Sequence, residues 1–518
     1  MTEPHASERI YTRWPIAEGY CTPLSVDAGG EVSLRAASRG ASFRVEVRRW
    51  GSEGVAWLAE GVAANDHSVP ERAWAEGCGW PVTVEIQTDV SWKSGLYEVT
   101  LTAEEAAPGD PRATSQAFFV VRAAPTSRAC GLLVLATNTY NAYNQWGGKC
   151  LYSGATHVSF ERPTERGYFR RPTEPGGFDG RITNIDGDPT HRRIINYQER
   201  FDIPLWTGSA GWWNWERRFV EWAHAEGFEF DLAINADLET VPELLDDYDV
   251  LLSVGHDEYW TRGMRDAADR FVEAGGRWAI FSGNTCFWQV RIDHDTGVMT
   301  GYKGSARRHD PVVDTPDHHL MTTTWSDPRI NHPETTTTGL TFSRGGYHRI
   351  GDAVRDGTGA YRIHEPDHWA FADTGLAEGE LLGEGSYIVG YEVDGCAIEW
   401  IDGRPRPTGE DGAPIDMQVL ATAPARLMSI TDDVCEPPTA LWDDVTPPGE
   451  LEGMAYTLFG DMSEESVARI AQGHAVLAYL RKGEGEIFNA GSADWCYGLD
   501  HDPQVRRVTA NVLRHFGL

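Results

Sequence analysis

The stretch SVGHDEYWT, residues 253–261, places an imidazole and two carboxylates directly after the apolar run Val250-Leu251-Leu252. In a turn at a strand end, residues two apart can project the same way, so His256 and Glu258 can converge on one point. A ring nitrogen and a carboxylate oxygen at that spacing suit a borderline metal ion, and equally an acid–base couple. The structural alternative is that Asp257 and Glu258 cap the following helix while His256 bonds locally. Two further stretches carry comparable chemistry. ATNTYNAYNQWGG (136–148) offers Asn138, Tyr140, Asn141, Tyr143 and Asn144 after a buried-looking strand, and FSGNTCFWQVR (281–291) offers Asn284 and Cys286. Amides and phenols in such a row are costly to bury unless bonded, which favours a polar site.

The elements that must position these residues are visible in the hydrophobic pattern. CGLLVLAT, FEFDLAINADL, YDVLLSVG and RWAIFSGN read as strands, and WWNWERRFVEWAHAEG and TRGMRDAADRFVEAGG as helices. The second helix has Met264, Ala267, Ala268, Phe271 and Val272 on one face, Thr261 as its cap and Gly275-Gly276 as its end. Strand and helix in alternation predict a parallel sheet with helices on both faces. Ligands of such sheets sit at the carboxyl ends of the strands, where His256 to Glu258 and Asn284 fall. Residues 16–123 read differently, as short alternating strands separated by Gly, Pro and Asp turns, which predicts an immunoglobulin-like β-sandwich. Pro125-Thr126-Ser127 marks the boundary, giving a sandwich over 1–125 and an α/β catalytic domain over 126–518. Packing and assembly are the ordinary work of such a sandwich. Two long inserts interrupt the catalytic domain. The first, about 146–200, is Gly, Pro and Arg rich and is a candidate substrate or interface loop. The second, about 290–450, is β-rich, with SYIVGYEVDG as its clearest strand, and is expected to cover the mouth of the sheet. EESVARIAQ, HAVLAYLR, GEIFNAGS and DPQVRRVTANVLRHFG then resume the α/β pattern.

Composition excludes several classes. The formal net charge is −33, from 78 acidic against 45 basic residues, and only Lys93, Lys149, Lys303 and Lys482 are lysines. Such a surface repels phosphate backbones and anionic lipid, so neither nucleic acid nor membrane is an expected partner. No run of about 18 apolar residues could span a bilayer. MTEPHASERIYTRW lacks the apolar centre of a signal peptide, and eight scattered cysteines without a Cys-x-x-Cys pair suit a reducing, cytoplasmic setting.

NTYNAYNQWGG, HVSFERP, GHDEYW, FSGNTCFWQVR, GYK, GYEVD and GEIFNAGSADWCYGL together resemble the C-terminal catalytic region of the N,N-dimethylformamidase large-subunit family, over about residues 130–518. That resemblance implies a glutamine-amidotransferase-like α/β core and a mononuclear iron held by two tyrosine phenolates and a glutamate, hydrolysing an unactivated small amide. It matches Glu258 to the carboxylate ligand, with His256 beside the metal. Tyr143 matches one phenolate best, and Tyr140 competes for that place. Asn284 matches the polar residue facing the substrate, and Lys303 and Glu392 further active-site groups. The second phenolate is expected before an Arg-Pro pair, where this chain has HVSFERP with Val158, Ser159 and Phe160. Tyr152, Tyr168 and Tyr197 stand as substitutes. The family's habit of assembling implies a homo-oligomer, and the need for a separate small subunit is left open. A ferric ion held by hard oxygens polarises a carbonyl and acidifies water, and His256 or Glu392 could move the proton to the departing amine.

Two other mechanistic classes compete. Cys286 at a strand end invites comparison with the nucleophile of glutaminase-type amidotransferases, set in Gly-x-Cys-x-Gly, which would make a metal-free cysteine hydrolase. Here Thr285 and Phe287 flank it, and a buried inert cysteine is the ordinary explanation. Trp212, Trp213, Trp215, Trp222 and Trp288 would suit an aromatic-rich binding module, although core packing explains tryptophans on a helix equally well.

Overall fold

The computed structural model describes residues 15–63, 65–185, 192–241, 243–351, 353–354, 357–429, 432 and 449–518. The N-terminal MTEPHASERIYTRW and Cys435 lie outside these residues. Apolar alternation between Ala17 and Arg122 builds two sheets. One holds strands 17–22, 31–38 and 84–87, and the other holds 25–27, 114–122, 95–103, 42–49 and 57–63. Their inward residues, among them Val32, Leu34, Val45, Val47, Val99, Leu101 and Phe119, form one core. A short helix, Ala73–Glu76, hangs between two of these strands.

The larger unit is organised on a nine-stranded sheet. Its strands run in the order 231–234, 131–135, 250–256, 277–283, 485–489, 473–482, 418–425, 361–363 and 381–382. The first five are mutually parallel, as their unbroken apolar runs predict. Numbered along the chain they follow the order 2-1-3-4-5, which places the topological switch point between strands 131–135 and 250–256. Successive residues of one strand feed opposite cores. Leu133 and Leu135 join the cluster of Trp215, Phe219, Phe281 and Phe516, whereas Leu132 and Val134 join that of Met264, Ala268, Trp278 and Ile280. Helix Arg262–Glu273 is capped as its sequence predicts, with Thr261 Oγ1 accepting from the Met264 amide at 3.2 Å.

The remaining four strands pair antiparallel, so the sheet is mixed rather than wholly parallel. The cause is local: strands 473–482 and 485–489 are joined through Gly483 at φ +58, a hairpin too short for a parallel crossover. The second insert is also not a separate cover, because three of its segments (361–363, 381–382 and 418–425) extend the sheet. Within SYIVGYEVDG only Glu392–Gly395 is strand, paired with Thr341–Tyr347. Helix Glu216–Ala225 starts after Trp212–Trp215, which lie in the preceding turns.

The sandwich is joined to the edge strand 231–234. Ser94 Oγ accepts from the Leu232 amide at 2.8 Å, Ser25 Oγ donates to Asp237 at 2.8 Å, and Arg122 pairs with Asp237 at 2.5 Å. The sandwich thus shields an edge that would otherwise be open to pairing. Among the described residues no helix is long and apolar enough to cross a membrane, and the seven described cysteines are unpaired.

Candidate active site

Three adjacent parallel strands end at one place. Strand 131–135 leads into helix Thr137–Tyr143, strand 250–256 terminates in His256, and strand 277–283 is followed by Asn284. Gly255 allows the approach. It has φ +84, and a Cβ there would lie 2.5 Å from the Trp215 Cβ. Asn284 is itself held at φ +52, an uncommon conformation for a residue with a side chain, which points its amide across the strand ends.

Glu258 is buried at the centre. Its carboxylate accepts from Tyr152 Oη at 2.7 and 3.0 Å and from Trp288 Nε1 at 2.7 Å. Tyr143 Oη donates to Tyr152 Oη at 2.7 Å, Tyr259 Oη donates to it at 2.9 Å, and the Tyr143 and Tyr152 rings stack at 4.2 Å. Lys303, at φ +55, sets its ammonium 3.2 Å from the Tyr152 ring centroid. Burial pushes the Glu258 carboxyl and the three phenols up, against the pull of the His256 imidazole on Glu258. Burial lowers Lys303 to about 8, even with Glu258 close by.

His256 forms the second half. Nδ1 lies 2.7 Å from the Ser209 carbonyl and therefore carries a hydrogen, while Nε2 lies 2.5 Å from Glu392 Oε2 and 3.4 Å from Glu258 Oε2. Burial draws the imidazole pKa down, but Glu392 outweighs it, with Glu258 assisting, and holds it at about 9. Glu392 thus favours the charged form of the ring, with Glu258 further off. Asn284 Nδ2 donates to the same Glu392 oxygen at 2.9 Å, which fixes the orientation of the amide. Asn284 Oδ1 is buried and has no hydrogen-bond partner among the described residues.

The structure therefore brings together Tyr143, His256, Glu258, Asn284, Lys303 and Glu392. It does not bring Tyr140, whose hydroxyl turns away to Glu216 at 2.6 Å. Tyr152 enters instead, nine residues after Tyr143 and from the first insert. Tyr168 and Tyr197 are buried elsewhere, the latter donating to the Pro172 carbonyl at 2.5 Å. HVSFERP contributes no phenol. Its buried Arg162 clamps the end of the Tyr143 helix through the Asn144 and Trp146 carbonyls, at 2.6 and 2.5 Å. Helix capping does not explain GHDE, since Thr261 is the cap and Asp257 accepts from Asn235 at 3.1 Å. Sequence reasoning missed Tyr259 as a neighbour and Trp288 as a donor. Their signal was present in GHDEYW and TCFW, where aromatics follow the polar residues.

Cys286 does not share this chemistry. It is fully buried beside Trp260, Met264 and Trp325, and burial drives its thiol far above the range in which a thiolate forms. Trp212, Trp215 and Trp222 are likewise core residues, whereas Trp288 faces the site as the donor to Glu258.

Among the described residues no group of three or more His, Cys, Asp and Glu side chains has a metal-binding arrangement. A metal here would have to draw on tyrosine. Tyr143, Tyr152 and Glu258 supply three hard oxygens linked within hydrogen-bonding distance, a donor set that fits a hard cation. Burial keeps the phenols protonated until such a charge offsets it.

Residues 44–507 match the family described as N,N-dimethylformamidase beta subunit-like, C-terminal. Two curated relatives are the N,N-dimethylformamidase beta subunits of Alcaligenes sp and Paracoccus aminophilus. The first is 25% identical over 505 residues, covering 89% of this chain and 58% of the relative. The second is 24% identical over 478 residues, covering 85% and 55%. The chain thus spans little more than half the length of these relatives.

Proposed function

Because the chain belongs to the N,N-dimethylformamidase beta subunit-like family, we propose that it is a metal-assisted hydrolase of small linear amides, with iron held by Tyr143, Tyr152 and Glu258. The observation that carries this reading is the convergence of those three oxygens, from three separate segments, at a buried position beside His256. A ferric ion bound there would polarise the amide carbonyl and acidify a water molecule. The chain's own residues do the rest. Glu392 holds His256 and Asn284 side by side, so the proton on His256 Nε2 is available to the nitrogen that leaves as amine. Asn284 Oδ1, its orientation set by Glu392, is left to accept an N–H or O–H of the substrate. The Lys303 ammonium is poised to offset negative charge on the carbonyl oxygen. The amidotransferase-like character of the core belongs to the same proposal and is supported by the 2-1-3-4-5 strand order. The word subunit in both relatives' names supports assembly with further chains.

Elemental analysis and visible spectroscopy of iron-loaded protein, with turnover of formamides and N-alkyl amides, test the reading. Wild type is expected to carry iron and a phenolate-to-iron charge-transfer band. Glu258→Gln keeps the shape and removes the charge, and should lose iron, colour and turnover together while its circular dichroism stays unchanged. Wild-type iron content in Glu258→Gln would overturn the assignment.

A further inference from the structure

We propose that the N-terminal sandwich is a positioning part of the active site, holding the turn that delivers Tyr152. Tyr143 is fixed by its helix, but Tyr152 follows an irregular turn, residues 144–151, whose outer side is built against the sandwich. Gly147 and Gly148 have φ +87 and +134. A Cβ on Gly148 would lie 2.6 Å from the Trp74 ring, and one on Gly147 2.9 Å from the Trp74 amide nitrogen. The glycine pair is thus required twice, for its backbone conformation and for closeness to the short helix Ala73–Glu76. Trp146 Nε1 donates to Glu18 Oε2 at 2.9 Å, across the seam to the first described strand, and its ring stands edge-on to Trp80 at 5.8 Å. Lys149 lies over Trp74 at 5.6 Å. Behind the turn, Arg162 holds the Asn144 and Trp146 carbonyls, and the Leu151 amide returns to the Ala142 carbonyl at 3.0 Å. The turn is therefore gripped between the catalytic domain and Glu18, Trp74 and Trp80 of the sandwich. Removing the outer grip frees the segment immediately before Tyr152, while Glu258, His256 and Asn284 keep their strand-end anchors.

This inference rests on the reading of Tyr152 as a site residue, and the two can fail separately. Hydrogen exchange read by mass spectrometry on the metal-free full chain reports the turn, and steady-state kinetics with the charge-transfer band report the site. In Trp74→Ala, exchange across 144–156 should rise by about tenfold or more, with peptides of strands 250–256 and 277–283 unchanged. The kcat should fall with the band, and Trp74→Phe should restore most of both. Trp146→Phe, which loses the bond to Glu18 but keeps a ring against Trp80, should show a smaller change of the same kind, and it serves if Trp74→Ala does not fold. Unchanged exchange across 144–156 in the folded variants overturns the positioning role. Exchange that rises while the band and kcat stay at wild-type values overturns the reading of Tyr152 on which it rests.

Discussion

Two tyrosines of one helix lead to buried glutamates, one directly and one through a second phenol, and only the latter glutamate lies in the candidate active site. Tyr140 donates to Glu216 at 2.6 Å; three residues later Tyr143 joins Tyr152, which donates to Glu258 at 2.7 Å. The bond lengths are alike, but the surroundings are not. Glu216 meets a single phenol, its second oxygen has no partner among the described residues, and burial pushes its carboxyl up to about 8, which favours the neutral acid. Glu258 meets Tyr152 and Trp288 directly, with Tyr143 and Tyr259 one hydroxyl further, His256 at 3.4 Å and the Lys303 ammonium over the Tyr152 ring. A buried carboxyl with one neutral donor is a structural hydrogen bond. One ringed by phenols, an indole N–H, an imidazole and an ammonium belongs to a polar network, although burial raises its carboxyl as well.

The comparison can be broken at the phenols. Tyr152→Phe should reduce turnover by about 10³-fold, the order expected when several kcal/mol of Lewis-acid stabilisation are lost, and abolish the charge-transfer band. Tyr140→Phe should leave both untouched and lower stability by about 1 kcal/mol. Equal effects from the two substitutions would erase the distinction. Within the site itself, Glu392→Gln separates holding the metal from handling the proton. Iron content should persist, while kcat falls by about 10²–10⁴-fold, the range of an acid–base group. Parallel loss of iron would make Glu392 a ligand instead.

Glu216 gives a smaller effect, read in stability. Its neutral form is favoured by folding, so this contribution is complete below about 4.5, the ordinary value, and is lost as pH rises towards about 8. Glu216→Gln keeps the bond from Tyr140 and removes the ionisation. Denaturant melts should show variant and wild type equally stable near pH 4, and the variant ahead by about 4 kcal/mol at pH 8. A constant difference across that window would mean that Glu216 is not neutral in the folded chain.

How far the sequence reaches depends on the range of the interaction. The apolar runs at 131–135, 250–256 and 277–283, the Thr261 cap and the polar tips that follow these strands are set by neighbours a few residues away, and each is where the pattern puts it. Tyr143, His256, Glu258 and Asn284 inherit their common location from the rule that parallel strands end together. The antiparallel half of the sheet was less accessible. HAVLAYLR and GEIFNAGS read as two more α/β strands, and only the short turn at Gly483 makes them a hairpin.

By itself, then, the sequence determined the acidic composition, the positions of the apolar runs that became strands, the strand-end place of GHDEYW and the family to which the chain belongs. Tertiary structure alone decided that Tyr152 rather than Tyr140 stands beside Tyr143, that Cys286 is walled into the core, and that Lys303 and Glu392 reach His256 and Glu258. The physical reason is separation along the chain. Tyr152 and Glu258 lie 106 residues apart, and no periodicity or propensity reports such a distance. Their meeting depends on the packing of an irregular turn against Trp74, Trp80 and Arg162, contacts that exist only once both domains are folded.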